Sequence, residues 1–315
     1  MRNETAFLQT LQSDFTLEMA GLPLSSPILN ASGAFNPQVF SRLFPLKDYL
    51  GAVVTKTITP NASSGNAQQR TVELKGVGML NSIGLQGKGI VYSMAEDIPD
   101  LFQHHTPIIL SISAESETAF SRMTAFVEAH ANRRMLAGIE LNVSCPNVHA
   151  GGAIFGSSPE WVAKAVRAVK QETTLPLWVK LTPNTSQFVA VGCAAVDAGA
   201  DALTAINTVL GSHIDIKRRC PSLAKVSGGY SGMGIKPIAI HHVIQLAKAL
   251  PHIPIVGVGG AEDVLEFIMA GCSAVQVGTH AFESPTIFVQ LLQELNAWCQ
   301  AEGISSLQSL KAVAL

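Results

Sequence analysis

The stretch Gly138-Ile139-Glu140-Leu141-Asn142-Val143-Ser144-Cys145 is a mainly apolar run that ends in small and polar residues. A helix is predicted to follow at Ser158-Pro159-Glu160, where a capping residue, a proline and an acidic residue occupy the first positions. The next apolar run is Leu177-Trp178-Val179-Lys180-Leu181-Thr182. Strands buried on both faces read as continuous apolar runs, and their alternation with helices is typical of parallel sheets. The stretch therefore predicts one strand–helix–strand unit.

The same unit recurs along the whole chain of 315 residues. Eight apolar runs, with no polar linker between them, favour a closed (β/α)8 TIM barrel over an open sheet. We therefore expect a single domain over residues 1–315. The predicted strands are Pro27–Ser32, Ala52–Ile58, Pro107–Ser113, Gly138–Cys145, Leu177–Thr182, Ala202–Thr208, Ile253–Gly260 and Ala274–Thr279.

Four segments fall outside this repeat. Phe15–Leu24 is predicted to form a β-hairpin that turns near Gly21. Long connections follow strand two, Thr59–Thr106, and strand six, Val209–His252, and a glycine-rich loop that we interpret as a mobile lid, Val148–Gly156, follows strand four. Barrel enzymes build their active sites from connections that leave the C-terminal ends of strands, so we expect the site there.

Composition excludes several classes of function. The net charge of −2, with only 14% charged residues, gives no basic face for nucleic acid. Five scattered cysteines form no C-x-x-C pair, which argues against a disulfide framework and a metal site. Met1–Ser13 lacks the apolar core of a signal peptide, and the longest apolar stretch, Phe188–Val196, is too short to cross a membrane. We expect a cytoplasmic protein without a membrane partner.

Polar or small residues follow seven of the eight predicted strands. Any one of them could be an ordinary turn or cap residue, but their agreement at one end of the barrel favours a bound ligand. The strand-end residues are Ala31, Ser32, Gly33, Lys56, Thr57, Asn142, Cys145, Asn147, Lys180, Asn207, Thr208, Gly259, Gly260, Gly278 and Thr279.

Three glycine clusters indicate a phosphate site. Gly259-Gly260 and Gly278-Thr279 follow strands seven and eight and precede helical patterns, a common phosphate-binding arrangement in barrels. Gly228–Gly232, in the connection after strand six, could close over the same phosphate. Each cluster alone is a weak signal because turns also use glycine. Together with Lys180 they favour a phosphorylated cofactor, and flavin mononucleotide (FMN) fits the expected site.

A lone cysteine is most often a small buried hydrophobe, so a catalytic role for Cys145 needs further support from its surroundings. It follows a strand end, precedes Pro146, and lies between two amides, Asn142 and Asn147, that could hold a polar substrate. A thiol with an ordinary pKa near 8.5 could act as a base with help from its surroundings. Cys145 is therefore a candidate catalytic base.

These residues resemble the motifs of the dihydroorotate dehydrogenases. The resemblance runs from about Phe15 to the last helix, with the motifs in the family's order. It implies oxidation of dihydroorotate to orotate in pyrimidine biosynthesis, with FMN as hydride acceptor. The matching motifs are Gly78–Leu85, Asn142–Asn147, Val179–Asn184, Ile206–Thr208, Gly228–Pro237 and the two late glycine clusters.

The resemblance also implies roles for individual residues. Cys145 would remove the substrate's C5 proton, and Lys180 would lie by the flavin ring. Residues implied to hold the substrate are Lys56, Asn81, Ser82, Ile83, Gly84, Leu85, Asn142, Asn147, Asn207 and Thr208. Residues implied to hold FMN are Ala31, Ser32, Gly33, Lys56, Thr57, Ser111, Asn142, Lys180, Ile206, Ser231, Gly232, Gly259, Gly260, Gly278 and Thr279.

Within the family, a cysteine at the base position is typical of class 1, and Asn81–Gln86 is similar to subclass 1B. That subclass implies a homodimer of this chain, possibly in a heterotetramer with a partner subunit that carries FAD and a 2Fe-2S cluster and reduces NAD. This chain lacks a cysteine set for such a cluster. The alternatives are a fumarate-dependent class 1A enzyme, another FMN barrel acting on a pyrimidine, a non-redox phosphate-binding lyase or isomerase, and a non-catalytic scaffold.

Overall fold

A computed structural model describes residues 14–144, 146–147, 153–259, 264–284 and 286–315. Its strands are β1 Leu17–Met19, β2 Leu22–Leu24, β3 Ile28–Asn30, β4 Val53–Val54, β5 Thr71–Leu74, β6 Gly78–Asn81, β7 Ile108–Ile112, β8 Gly138–Asn142, β9 Pro146–Asn147, β10 Ala153–Ile154, β11 Leu177–Lys180, β12 Ala202–Ala205, β13 Val209–Ser212, β14 Ile214–Asp215, β15 Cys220–Pro221, β16 Ser227–Ser231, β17 Ile255–Gly259 and β18 Ala274–Val277.

Helices separate most of the barrel strands. They are α1 Pro37–Phe40, α2 Leu46–Tyr49, α3 Ile90–Tyr92, α4 Ile98–Phe102, α5 Glu117–Ala129, α6 Pro159–Lys170, α7 Phe188–Asp197, α8 Lys236–Ala249, α9 Val264–Met269, α10 His280–Glu283 and α11 Ile287–Glu302. A π-helical turn, Ser93–Asp97, joins α3 to α4. Short 3-10 turns cover Ala131–Met135, Phe155–Ser157, Met233–Ile235 and Leu307–Leu310. Within the described residues, no helix is long and apolar enough to span a bilayer.

The eight predicted barrel strands are confirmed. They form one parallel sheet in the order β3-β18-β17-β12-β11-β8-β7-β4. A parallel bridge between Leu29 and Ala52 joins the first and last strands and closes the barrel. The observed strands are shorter than predicted, and Asn142 and Lys180 are the last paired residues of β8 and β11, which places them at the C-terminal end of the barrel.

The predicted helix after strand four begins at Pro159, as α6. Ser158 takes the N-cap position with extended backbone, but its side chain makes no capping hydrogen bond. Three valines at helical spacing, Val162, Val166 and Val169, are fully buried against the barrel. Burial of this apolar face, rather than the expected cap, therefore holds the helix in place.

The N-terminal hairpin plugs the bottom of the barrel. β1 and β2 pair antiparallel around Ala20 and Gly21, whose φ values of 52° and 78° suit the two-residue turn that matches strand twist. Its apolar side chains enter the barrel interior and close the N-terminal end. Leu17, Met19 and Leu24 pack there with Leu29, Val54, Ile109, Trp178 and Val256.

A four-stranded antiparallel sheet stands over the opposite end, in the order β13-β16-β6-β5. Its strands come from the two long connections that the sequence predicted after strands two and six, although the strands themselves were not predicted. The connections meet closely: a Cβ added to Gly78 would lie 2.0 Å from the Ser231 carbonyl oxygen. This sheet, which we call the mouth sheet, forms one wall of the functional site.

Candidate active site

A cavity of about 1440 Å³ opens at the C-terminal mouth of the barrel, beneath the mouth sheet. Its volume exceeds the roughly 300–1,000 Å³ of ordinary ligand pockets, so it has room for a cofactor and a substrate together. The predicted site residues that line it are Ala31, Ser32, Gly33, Lys56, Thr57, Asn81, Ser82, Ile83, Gly84, Leu85, Asn142, Lys180, Ile206, Asn207, Thr208, Ser231, Gly232, Gly259, Gly278 and Thr279.

Four predicted site residues do not belong to that set. Cys145 and Gly260 lie outside the described residues, as does most of the loop interpreted as a lid, and only the backbone of Asn147, in β9, is described. Ser111 is fully buried in β7 and lies behind the cavity wall. Its hydroxyl is 2.9 Å from Thr57 Oγ1. The roles of all these residues stay predictions.

Thr57 is the centre of a polar cluster on the cavity wall. Its hydroxyl lies 3.0 Å from Ser32 Oγ and 2.9 Å from Ser111 Oγ, and it accepts a hydrogen bond of 3.2 Å from Asn142 Nδ2. Strands one, two, three and four thus each contribute one member. The short side chain of Ser111 is long enough to support Thr57, which in turn fixes the Asn142 amide.

The two strand-end asparagines orient each other. Asn207 Nδ2 donates to Asn142 Oδ1 at 3.3 Å and to Ser144 Oγ at 2.8 Å. The backbone N–H of Thr208 donates to Asn207 Oδ1 at 2.8 Å. Both amides are therefore held beside the segment that leads into Cys145. The sequence predicted Asn142 and Asn147 as the two amides beside the thiol, and that pair stays a prediction because Cys145 and the Asn147 side chain lie outside the described residues.

Lys180 points into the cavity from the barrel interior, and only 5% of its surface is exposed. Nζ donates to Gln276 Oε1 at 3.1 Å and lies 3.9 Å from Glu140 Oε1. Glu140 and Gln276 are both fully buried, and neither was predicted as a site residue. A glutamate and a glutamine inside apolar strand runs were the sequence signal for them, because such residues are rarely buried without a partner.

Lys56 carries a second positive charge into the cavity. Burial of its ammonium group, and secondarily the nearby charge of Arg70, lowers the pKa of Lys56 below its usual value of 10.5. Among the described residues, no carboxylate forms an ion pair with it. A ligand carboxylate at this position would supply the missing negative charge and stabilise the ammonium form.

The segment from Asn81 to Leu85 lines the cavity after β6. Asn81 Nδ2 donates to the Gly229 carbonyl oxygen of β16 at 3.3 Å. Asn66, which sequence reasoning missed, donates through Nδ2 to both the carbonyl oxygen and Oγ of Ser82, at 3.1 and 3.0 Å. These contacts fix the backbone of the segment, so its polar groups are presented to the cavity in one arrangement.

Two of the glycine clusters that the sequence predicted to hold a phosphate meet at one side of the cavity. Thr279 Oγ1 donates to Ser231 Oγ at 2.9 Å, which joins the end of strand eight to the mouth sheet. Among the described residues, an added Cβ at Gly278 would meet only Ala31 Cβ, at 3.8 Å, so these residues leave open space beside its backbone. Such a cradle lets a ligand approach the main chain closely, and it fits a phosphorylated group.

Fold and site together define a class of protein. The chain folds into a closed (β/α)8 barrel with a cavity at its C-terminal mouth, and polar side chains and two lysines converge in that cavity. This is the architecture of a barrel enzyme.

Comparisons with known proteins identify the family. Residues 15–298 match the family model described as dihydroorotate dehydrogenase. The chain is 43% identical over 299 residues to a protein of Listeria monocytogenes, covering 94% of this chain and 96% of that protein. It is 40% identical over 308 residues to one from Pelobacter propionicus, with coverage of 95% and 98%. Both relatives are named dihydroorotate dehydrogenase B (NAD(+)), catalytic subunit. This chain belongs to the dihydroorotate dehydrogenase family.

Proposed function

We propose that this chain is the catalytic subunit of an NAD-linked dihydroorotate dehydrogenase, which oxidises dihydroorotate to orotate in pyrimidine biosynthesis. The observation that carries the proposal is the convergence of Lys56, Lys180, Asn142 and Asn207 in one cavity of a barrel of this family. The names of its relatives support the NAD-linked form over a fumarate-dependent one.

FMN fits the residues at one side of the cavity. The cradle at Gly278, with Thr279 and Ser231 beside it, would hold the phosphate, and Ser32 and Thr57 would hold polar edges of the cofactor. Lys180 would face the flavin ring with its positive charge. When bound, FMN supplies the hydride acceptor for the C6 hydrogen of dihydroorotate.

The substrate would occupy the other side, between the asparagines and the mouth sheet. Asn142 and Asn207 are held in fixed orientations, so they can bind the pyrimidine without first being ordered. The ammonium group of Lys56 would attract the substrate carboxylate. By the family resemblance, Cys145 Sγ takes the proton from C5 and acts as the general base.

The same proposal extends to assembly and location. The words "catalytic subunit" in the names of the relatives support a partner subunit, for which we propose an iron–sulfur flavoprotein with FAD and a 2Fe-2S cluster, bound to a homodimer of this chain. We place the protein in the cytoplasm. Cys193, Cys220 and Cys272 are free thiols, which suits a reducing compartment.

Anaerobic stopped-flow reduction tests the activity. The purified protein should be yellow, and dihydroorotate should bleach the flavin absorbance. Cys145→Ala should keep FMN but lose nearly all of the bleaching rate. A colourless protein that takes up no FMN would favour the phosphate-binding lyase or isomerase instead. Rapid turnover of the isolated chain with fumarate would refute the NAD-linked assignment, and wild-type bleaching by the variant would refute Cys145 as the base.

A further inference from the structure

Glu140 is a buried acid in the barrel interior to which the proposed reaction assigns no role. It lies in the middle of β8 with no solvent-exposed surface. Thr204, in β12, and Gln276, in β18, reach the same point from two other alternate strands. Interior layers of these barrels combine side chains from alternate strands and are usually filled by Val, Ile and Leu. This layer is polar, and it lies directly beneath Lys180.

The hydrogen bonds of this layer fit a carboxylate. Glu140 Oε2 accepts from Gln276 Nε2 at 2.5 Å and from Thr204 Oγ1 at 3.1 Å. Lysine can only donate, so its 3.1 Å contact fixes Gln276 Oε1 toward Lys180 and leaves Nε2 to donate to Glu140. In the described part of the chain, both hydrogen-bond partners of Glu140 contact Oε2, and the group nearest to Oε1 is the Lys180 ammonium, which cannot accept a hydrogen bond. A proton on Oε1 would therefore find no acceptor among these groups.

One oxygen of Glu140 is left without a hydrogen bond. Among the described residues, Oε1 has no hydrogen-bond partner, and its nearest charge is Lys180 Nζ at 3.9 Å. A buried, half-satisfied carboxylate costs stability, and apolar residues often replace buried ion pairs without loss. Stability alone therefore does not explain a glutamate here. An electrostatic effect of the Glu140 carboxylate on Lys180 does explain it.

We infer that Glu140 is a positioning residue for Lys180, acting through Gln276, and that its charge sets how strongly the site favours reduced over oxidised FMN. The inference rests on the proposed function. Gln276 holds the ammonium group at the cavity floor, while the carboxylate offsets part of its positive charge. Charge near the flavin ring tunes its electronics, so less net positive charge means weaker stabilisation of the electron-rich reduced form.

The test is Glu140→Gln, which keeps the shape and removes the charge. The dissociation constant of oxidised FMN is measured on the apoprotein by fluorescence quenching, and the two-electron midpoint potential on the FMN-loaded protein by anaerobic dye titration. We expect reduced FMN to be favoured over oxidised FMN about tenfold more than in wild type, a rise of about 30 mV. The matched control, Thr204→Val, removes one hydrogen bond to the same carboxylate and keeps the charge, so its change should stay below about twofold.

Each outcome decides the inference. If the preference of E140Q for reduced over oxidised FMN lies within twofold of the wild-type preference, or if T204V changes that preference as much, the inference is overturned. If E140Q does not fold, the double variant E140Q/K180M removes both charges. Folding of the double variant would support the pairing, whereas its failure would show that Glu140 stabilises the barrel independently of Lys180. A wild-type protein that binds no FMN would instead refute the proposed function itself.

Discussion

Replacing Gly78 by alanine should separate the two long connections that form the mouth sheet. Gly78 begins β6, which pairs with β16 at Met79 and Ser231. Its φ is +140°, and an added Cβ would lie 2.0 Å from the Ser231 carbonyl oxygen and 3.1 Å from Gly232 Cα. Both are backbone atoms, so no side-chain rotation can relieve the contact.

The magnitude follows from two separate costs. A positive φ costs a residue with a Cβ about 1–2 kcal/mol. Overlap in a packed region adds about 1–3 kcal/mol. The free energy of unfolding of Gly78→Ala should therefore fall by about 2–5 kcal/mol, the sum of the two ranges. Gly76 offers a matched control, because its φ is +74° and an added Cβ would meet no atom of the described residues within 4 Å. The free energy of unfolding of Gly76→Ala should therefore fall only by the cost of the positive φ.

Urea unfolding of the two variants measures this difference directly, and orotate binding measures its effect on the site. Loosened pairing of β6 with β16 would release Asn81 from the Gly229 carbonyl, so Gly78→Ala should bind orotate more weakly than Gly76→Ala. Equal unfolding free energies for the two variants would refute the argument, since backbone strain would then account for the whole effect.

Three further predictions test other parts of the structure. Asn207→Ala removes two side-chain hydrogen bonds, to Asn142 and Ser144, so the free energy of unfolding should fall by about 1–3 kcal/mol in urea, and orotate should bind more weakly because the Asn142 amide is no longer held; unchanged orotate affinity would contradict the role. Burial and the charge of Arg70 lower the pKa of Lys56, so orotate affinity should fall as the pH rises through this pKa, which lies below 10.5. Lys56→Gln should abolish this pH dependence, and parallel pH profiles of orotate affinity for the two proteins would contradict the role of Lys56. Leu24→Ala should lower the free energy of unfolding in urea by about 2–5 kcal/mol, because it leaves a cavity where the N-terminal hairpin packs into the barrel. Pro23→Ala, on the exposed side of the same strand, should leave the free energy of unfolding almost unchanged.

Sequence periodicity predicted the barrel because each strand is short, apolar and flanked by helical patterns. It missed the mouth sheet for a physical reason. β16 contains Gly228 and Gly229, and glycine in a strand carries little local preference for extended structure. Its partner β6 lies about 150 residues earlier, so local patterns hold no information on the pairing. Only the folded barrel brings the two connections together.

The candidate site was predicted in outline because parallel strands end at the same side of a barrel. Reading strand ends located the residues of the cavity wall, including Lys56, Asn142 and Asn207. The same rule overlooked Glu140 and Gln276, since each lies inside its strand. Their side chains act from below the cavity through Lys180. Two polar residues in the barrel interior come into contact only if their strands have the right stagger, and that stagger involves strands that are distant in sequence.

The glycines around the cavity divide into two kinds that sequence cannot distinguish. An added Cβ at Gly259 would lie 2.3 Å from the ring of Phe267, and at Gly232 it would lie 2.5 Å from Gly78 Cα. Packing of the chain against itself is sufficient reason for glycine at both positions, whatever the cavity binds. At Gly278 the described residues leave the space open. Of these three glycines, Gly278 is therefore the one whose lack of a side chain is better explained by a bound ligand than by packing within the fold.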